Sequence, residues 1–238
     1  MNVELVVFLP TYNERENLPL VVERLFGLGL DLFILVVDDN SPDGTGEIGD
    51  RLAEKHADRM RIIHREGPRG RGLAGIVGLR EASAMDCRFV VEMDADASHD
   101  PGELPRLLEI AQDADLVIGS RYVEGGTAEN FGLLRTLNSK VAKFLTVLFL
   151  GLRYTDPTSG YRVYRREILL PLPWDRMISP GPSIVEETLY YIKRNGARIV
   201  ETPIAYRDRH KGSSKITIGI ILRWIMTLMR IRWTAARN

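Results

Sequence analysis

The stretch Val90-Val91-Glu92-Met93-Asp94-Ala95-Asp96 has strand character through its apolar run and ends in two carboxylates one residue apart. A strand that stops this way delivers both acids to one edge of a sheet. Two anionic side chains held close raise each other's proton affinity, so a bound divalent cation is the easiest way to keep both ionised. Hard oxygen ligands favour Mg²⁺ or Mn²⁺, and those ions favour phosphates. The same corner also reads as a solvated strand-to-loop turn, because Asp is a common loop residue.

Working outward, residues 3–9 form a continuous apolar run broken at Pro10, and further runs of this type fall at 32–37, 60–64, 88–93 and 115–119. Helical stretches stand between them: one opening at Asn13 and running through Leu25, and a charged one at 47–55. Strands alternating with helices predict an α/β fold with a mostly parallel sheet. In open sheets of this kind the ligand sits beyond the carboxyl ends of the strands, where Pro10, Asp38, Asp39, Asp94 and Asp96 all fall. Five polar or breaker positions at one edge point to a site more strongly than any one of them. Later segments read as a helix over 133–152, a helix over 184–194 stopped by Asn195-Gly196, and a short strand over 199–203.

Lys plus Arg and Asp plus Glu number 32 each among 238 residues, so the net charge is zero and nothing in the global balance argues for nucleic acid as a partner. The one cysteine, Cys87, excludes an internal disulfide framework and a Cys-based zinc site. Glu4 and the absence of a basic segment before the short apolar run argue against a signal peptide, which makes a cytoplasmic N-terminus the expectation. The turn Gly70-Arg71-Gly72-Leu73-Ala74 reads as a helix N-terminus near a nucleotide rather than a P-loop, since no Gly-Lys-Ser/Thr follows.

Pro10-Thr11-Tyr12-Asn13-Glu14, Val36-Val37-Asp38-Asp39-Asn40-Ser41-Pro42-Asp43-Gly44-Thr45 and the Asp94-Ala95-Asp96 corner together closely resemble the family 2 glycosyltransferases with the GT-A fold. Within them the chain looks most like the polyprenol (dolichol) phosphate mannose synthases. Gly119-Ser120-Arg121-Tyr122 with Gly125-Gly126, the run Asp156 to Arg162, and Arg209-His210-Lys211-Gly212-Ser213-Ser214-Lys215 support the narrower likeness. Two positions depart from the usual pattern: Ser98 stands where a Gln is usual, and Arg71 where a Leu is common.

The resemblance implies a metal-dependent, inverting mannosyl transfer from GDP-mannose to polyprenyl (dolichyl) phosphate. It places Pro10, Tyr12, Glu14, Val37, Asp39, Asp94, Ala95, Asp96, Arg209 and Lys215 at the donor, with Asp39 accepting from the base. A carboxylate suits a guanine edge because one acid can satisfy two N–H donors. The resemblance also implies Mg²⁺ or Mn²⁺ on Asp94, Asp96 and Ser98, catalytic roles for Asp94, Asp96, Arg121 and Glu187, and an acceptor-phosphate clamp of Arg121, Arg135 and Ser139. The lipid phosphate is already anionic near neutral pH, so no strong general base is demanded. Rival readings are glucosyl transfer from UDP-glucose to the same lipid, and a non-catalytic sugar-nucleotide-binding subunit.

Residues 1–212 are expected to form the catalytic domain and 213–238 an amphipathic C-terminal helix. No uninterrupted apolar span of roughly 20 residues occurs. Arg223, Thr227, Arg230, Thr234 and Arg237 recur at three- and four-residue steps, one polar stripe on a helix otherwise rich in Ile, Leu and Trp. This predicts either an interfacial helix on the cytoplasmic face of a membrane or a helix packed on the protein or on a separate membrane anchor protein.

Overall fold

The structure, a computed structural model, describes residues 2–129, 133–207 and 218–236, with side chains at 3–128, 139, 141–207 and 224–234. The chain runs through β1 (Asn2–Thr11), α1 (Leu18–Phe26), β2 (Leu32–Asp38), α2 (Thr45–Lys55), β3 (Met60–His64), α3 (Arg71–Ala84), β4 (Asp86–Glu92), α4 (Leu104–Ala111) and β5 (Leu116–Ser120). It continues through β6 (Thr127–Glu129), α5 (Leu133–Leu150), β7 (Arg162–Arg165), α6 (Ile184–Arg194), β8 (Ile199–Pro203), β9 (Ala205–Arg207) and α7 (Ile218–Ala236).

Seven strands form one sheet in the order β3-β2-β1-β4-β7-β5-β8, and β6 pairs with β9 in a small second sheet. Every neighbour pair of the large sheet is parallel except those made by β7, which runs antiparallel between β4 and β5. The α/β expectation of a mostly parallel sheet flanked by helices therefore holds. The insertion of β7 was not legible in the run Arg162-Val163-Tyr164-Arg165, because two terminal arginines mask its apolar centre.

The continuous apolar runs are explained by burial on both faces. Along β1, Val6 and Phe8 join a core with α3, α6 and α7, while Leu5, Val7 and Leu9 join the other with α1 and α4. At roughly 25 cal/mol per Å², this double burial is what makes such hydrophobic strands stable here.

Strand order reverses around β1 and β4, and the crevice of an open α/β sheet lies at such a reversal. The carboxyl ends of β1, β2 and β4 meet there. Helix α1 starts at Leu18 rather than Asn13: Asn13 has φ 60°, in the left-handed region. Its N–H donates to Ser41 Oγ at 3.0 Å and that of Glu14 to Thr45 Oγ1 at 2.9 Å, so residues 13–17 are a loop stitched to the segment after β2.

Candidate active site

A cavity of about 460 Å³ opens at the carboxyl edge of β1, β2 and β4. Pro10, Tyr12, Glu14, Asp39, Asp94, Ala95 and Asp96 line it, which brings most of the expected donor residues into one space. Val37 instead lies buried in β2 opposite Pro10, one layer behind the wall. Arg209 and Lys215 lie outside the described residues, as does the side chain of Arg135.

Neighbouring acids after β2 divide their work. Asp38 accepts from Thr11 Oγ1 at 3.0 Å and from the N–H and Oγ of Ser41 at 3.0 and 2.6 Å, so it caps the turn. Asp39 faces the cavity, where one oxygen accepts from Arg65 and the other from the N–H of Gly70 at 2.6 Å. It thus pins the glycine-rich turn to the cavity wall. Arg69 reaches across to the Tyr12 hydroxyl at 3.1 Å, with its guanidinium 5.2 Å from the Tyr12 ring centre.

The Asp94-Ala95-Asp96 corner is held from behind. The N–H of Asp94 donates to His99 Nδ1 at 3.1 Å, and Asp96 Oδ1 accepts the N–H and hydroxyl of Ser98 at 3.0 and 2.5 Å. Ala97 bends the chain with φ 61°. Ser98 is buried and sits behind Asp96, not on the cavity wall, so its immediate task is to orient that carboxylate.

His99 is buried against Tyr161 and Tyr206, with ring centres 5.1 and 5.6 Å away. Burial holds its pKa below the ordinary range, opposed by Asp94 and Asp96 and reinforced by Arg121 and Arg71. One imidazole therefore feels both the acidic corner and the basic residue beyond it.

That residue, Arg121, follows β5. Its Nε and Nη2 each donate to Asp156 at 2.7 Å and its backbone N–H at 3.0 Å, while the guanidinium lies 5.2 Å from the Tyr206 ring centre. Asp156 is almost fully buried, and the N–H groups of Thr155 and Asp156 are held in turn by Glu201 at 2.6 and 2.7 Å. Burial disfavours the charge on Arg121, but Asp156 more than compensates and raises its pKa. Ser139 of α5 accepts from the Tyr122 hydroxyl at 2.7 Å, which joins Arg121's neighbour to the expected acceptor side.

Glu187, for which the resemblance implies a catalytic role, lies on α6 behind the cavity wall. It is fully buried, accepts the N–H groups of Ile178 and Ser179 at 3.0 and 2.9 Å, and does not line the cavity. This fixes the segment before α6, whose Pro180 carbonyl accepts the N–H of Gly72 at 3.1 Å and whose Pro182 lines the cavity. A Cβ on Gly72 would stand 2.0 Å from the Ser179 carbonyl oxygen, so only glycine permits this approach.

Thr11, Arg65, Arg69 and Pro182 belong to the site without having been expected there, and Arg71 lies on the cavity wall, as the reading of its turn near a nucleotide implied. The spacing of Arg65, Arg69 and Arg71 around a glycine turn was a readable sign of an anion site. Nothing local marks Pro182. The arrangement combines a carboxylate for a base, two hard-oxygen acids, and cations on either side, which suits a ligand with a base at one end and phosphates at the other.

The family model described as glycosyl transferase family 2 matches residues 6–170. A polyprenol monophosphomannose synthase of Mycolicibacterium smegmatis is 43% identical over 213 residues, covering 89% of this chain and 80% of that protein. An undecaprenyl-phosphate mannosyltransferase of Micrococcus luteus is 40% identical over 236 residues, covering 98% of this chain and 97% of that protein. Among solved structures, a mannosyltransferase of Pyrobaculum calidifontis in complex with GDP-Man and Mn²⁺ shares the fold with a TM-score of 0.59 at 17% identity, covering 100% of this chain and 74% of that one.

Proposed function

The chain belongs to glycosyl transferase family 2, and from that premise we propose that it transfers mannose from GDP-mannose to a polyprenyl phosphate, with inversion at the anomeric carbon. The observation that carries this reading is the shared cavity of Asp39, Asp94 and Asp96, with Arg121 packed on the Tyr206 ring that His99 also meets. Asp39 receives the base, Tyr12 and Pro10 flank the nucleoside, and the acidic corner faces the diphosphate. Arg121, with Arg135 and Ser139, receives the lipid phosphate, whose anionic oxygen attacks the sugar from the face opposite the leaving group. Arg209 and Lys215 complete the donor side.

A divalent ion, Mg²⁺ or Mn²⁺, fits this donor set. Asp94 and Asp96 offer hard oxygens on one turn at the cavity wall. Among the described residues no cluster of three or more His, Cys, Asp or Glu side chains is present, so waters and substrate phosphates would have to supply the remaining ligands. When bound, such an ion supplies charge neutralisation for the departing diphosphate. Ser98 serves by holding Asp96.

The enzyme works as a peripheral protein on the cytoplasmic face of a membrane. Among the described residues no helix is long and apolar enough to cross a bilayer. Support comes instead from two helices in contact, α5 and α7. Each exposes apolar residues at the steps i, i+3 and i+7: Val141, Phe144 and Leu148 on one, Met226, Met229 and Trp233 on the other. The opposite face of α7 buries Leu228 and Ile231 completely, so α7 packs on the core through one face and turns the other outward to lipid.

Incubation of the purified chain with polyprenyl phosphate in anionic vesicles, Mn²⁺ and radiolabelled nucleotide sugars tests the reading. Label is expected in the lipid fraction from GDP-mannose; transfer from UDP-glucose alone, or from no donor, would refute it.

A further inference from the structure

Arg71, the first residue of α3, lies on the cavity wall and makes contacts that neither the base end nor the acceptor side accounts for. Its Nη2 stands 2.9 Å from Glu92 Oε1 and 3.2 Å from Asp94 Oδ1. Glu92 is fully buried at the end of β4, and its other oxygen accepts the Tyr164 hydroxyl of β7 at 2.7 Å. A continuous chain of polar contacts, Tyr164 to Glu92 to Arg71 to Asp94, thus runs from the middle of the sheet to the acidic corner. The space is kept open by Gly160, where a Cβ would come within 3.3 Å of Arg71 Nη2. An arginine guanidinium stays protonated at any working pH, so Arg71 is a permanent cation set between Glu92 and Asp94.

Arg71 is more than the counter-ion of Glu92. A counter-ion confined to that job has no need to line a ligand cavity, yet Arg71 keeps about a quarter of its side chain exposed there (24%) and reaches the cavity-facing carboxylate as well. Its Nη1 is buried without a partner, so Glu92 and Asp94 leave its donor capacity partly unused.

Resting on the donor reading given above, we propose that Arg71 is a further donor-site residue: a built-in cation that holds Asp94 toward the cavity and gives its charge to the diphosphate of the nucleotide. Two consequences of opposite sign follow from Coulomb's law. A fixed positive charge beside Asp94 repels a divalent ion and weakens its binding, and the same charge attracts the diphosphate and strengthens nucleotide binding even when no ion is present. Simple structural damage would weaken both. The fork of an arginine suits phosphate oxygens, so lysine should recover only part of the effect.

The test uses GDP and Mn²⁺ separately on the full chain. Removing Arg71 alone leaves Glu92 buried without its cation, so Arg71→Leu is compared with Arg71→Leu/Glu92→Gln and with Arg71→Lys. Calorimetric titration of GDP in EDTA is expected to show a loss of about 10-fold or more in affinity for both leucine variants and an intermediate loss for lysine. Electron paramagnetic resonance of Mn²⁺ without nucleotide is expected to show tighter ion binding in the double variant. Unchanged GDP affinity, or a loss of both affinities in the double variant, would overturn the inference. Wild-type protein that fails to bind GDP even with Mn²⁺ would overturn the donor reading and this inference with it; wild-type binding that the variants leave intact overturns the inference alone.

Discussion

Trp224 on α7 donates its indole N–H to Glu186 Oε1 on α6 across 3.3 Å, tying the C-terminal helix to the helix that follows Pro182 of the donor cavity. Glu186 is almost fully buried and its Oε2 has no partner. Desolvation pushes its pKa up to about 7, against the weaker pull of Arg162, Trp224 and Arg71.

That carboxyl makes stability depend on pH. In the unfolded chain it titrates near 4.5, and in the folded protein it keeps its proton to about 7, so the native state binds more protons between those values. Its contribution is therefore fully present below pH 4.5 and is lost as pH rises toward about 7. Glu186→Gln, neutral at every pH, should remove this loss, a difference on the order of 3 kcal/mol across the window. Urea unfolding of both proteins at several pH values measures it; parallel curves would refute the assignment. Burial raises the neighbouring Glu187 as well, but Glu187 is present in both proteins and cancels in the comparison.

Asp156 orients Arg121 by accepting from its Nε, Nη2 and backbone N–H. Asp156→Asn places an amide N–H against one of those donors and removes the charge that fixes the fork. The expected result is an acceptor KM raised roughly 10- to 100-fold, with the KM for GDP-mannose nearly unchanged. Steady-state kinetics with each substrate varied in turn decide the point. An effect confined to the donor would place Arg121 on the wrong side of the reaction.

Phe144 and Trp233 are each more than three-fifths exposed, at 64% and 63%, so charging them should leave the fold intact. Phe144→Asp and Trp233→Asp should each reduce flotation with anionic vesicles by about 10-fold, and the Phe144→Asp/Trp233→Asp double variant by more. Full retention on vesicles by the double variant would show that this face does not meet lipid.

Much of the fold was legible along the chain because a strand buried on both faces must be apolar throughout. The runs at β1, β2 and β4 announced themselves, with Pro10 inside the last residues of β1 and Asp39, Asp94 and Asp96 just beyond β2 and β4. The α7 pattern likewise showed an amphipathic helix, although which apolar residues were core (Leu228, Ile231) and which were surface (Met226, Met229, Trp233) needed the neighbouring helices. The family 2 assignment read from the motifs agrees with the family match over residues 6–170.

The pair Glu186-Glu187 illustrates the limit. Adjacent on one helix, the two acids are chemically alike, yet Glu187 is satisfied by the N–H groups of Ile178 and Ser179 while Glu186 meets a tryptophan from the end of the chain. The same holds for Arg71, which the sequence marks only as a departure in a glycine turn, until β4 and β7 set Glu92, Asp94 and Tyr164 around it. The sequence by itself determined which residues end strands and which chemistry they carry, because burial and backbone preference are encoded locally. Tertiary structure alone decided which charge faces which, because the low dielectric of the interior makes a few ångströms between groups far apart in sequence decisive.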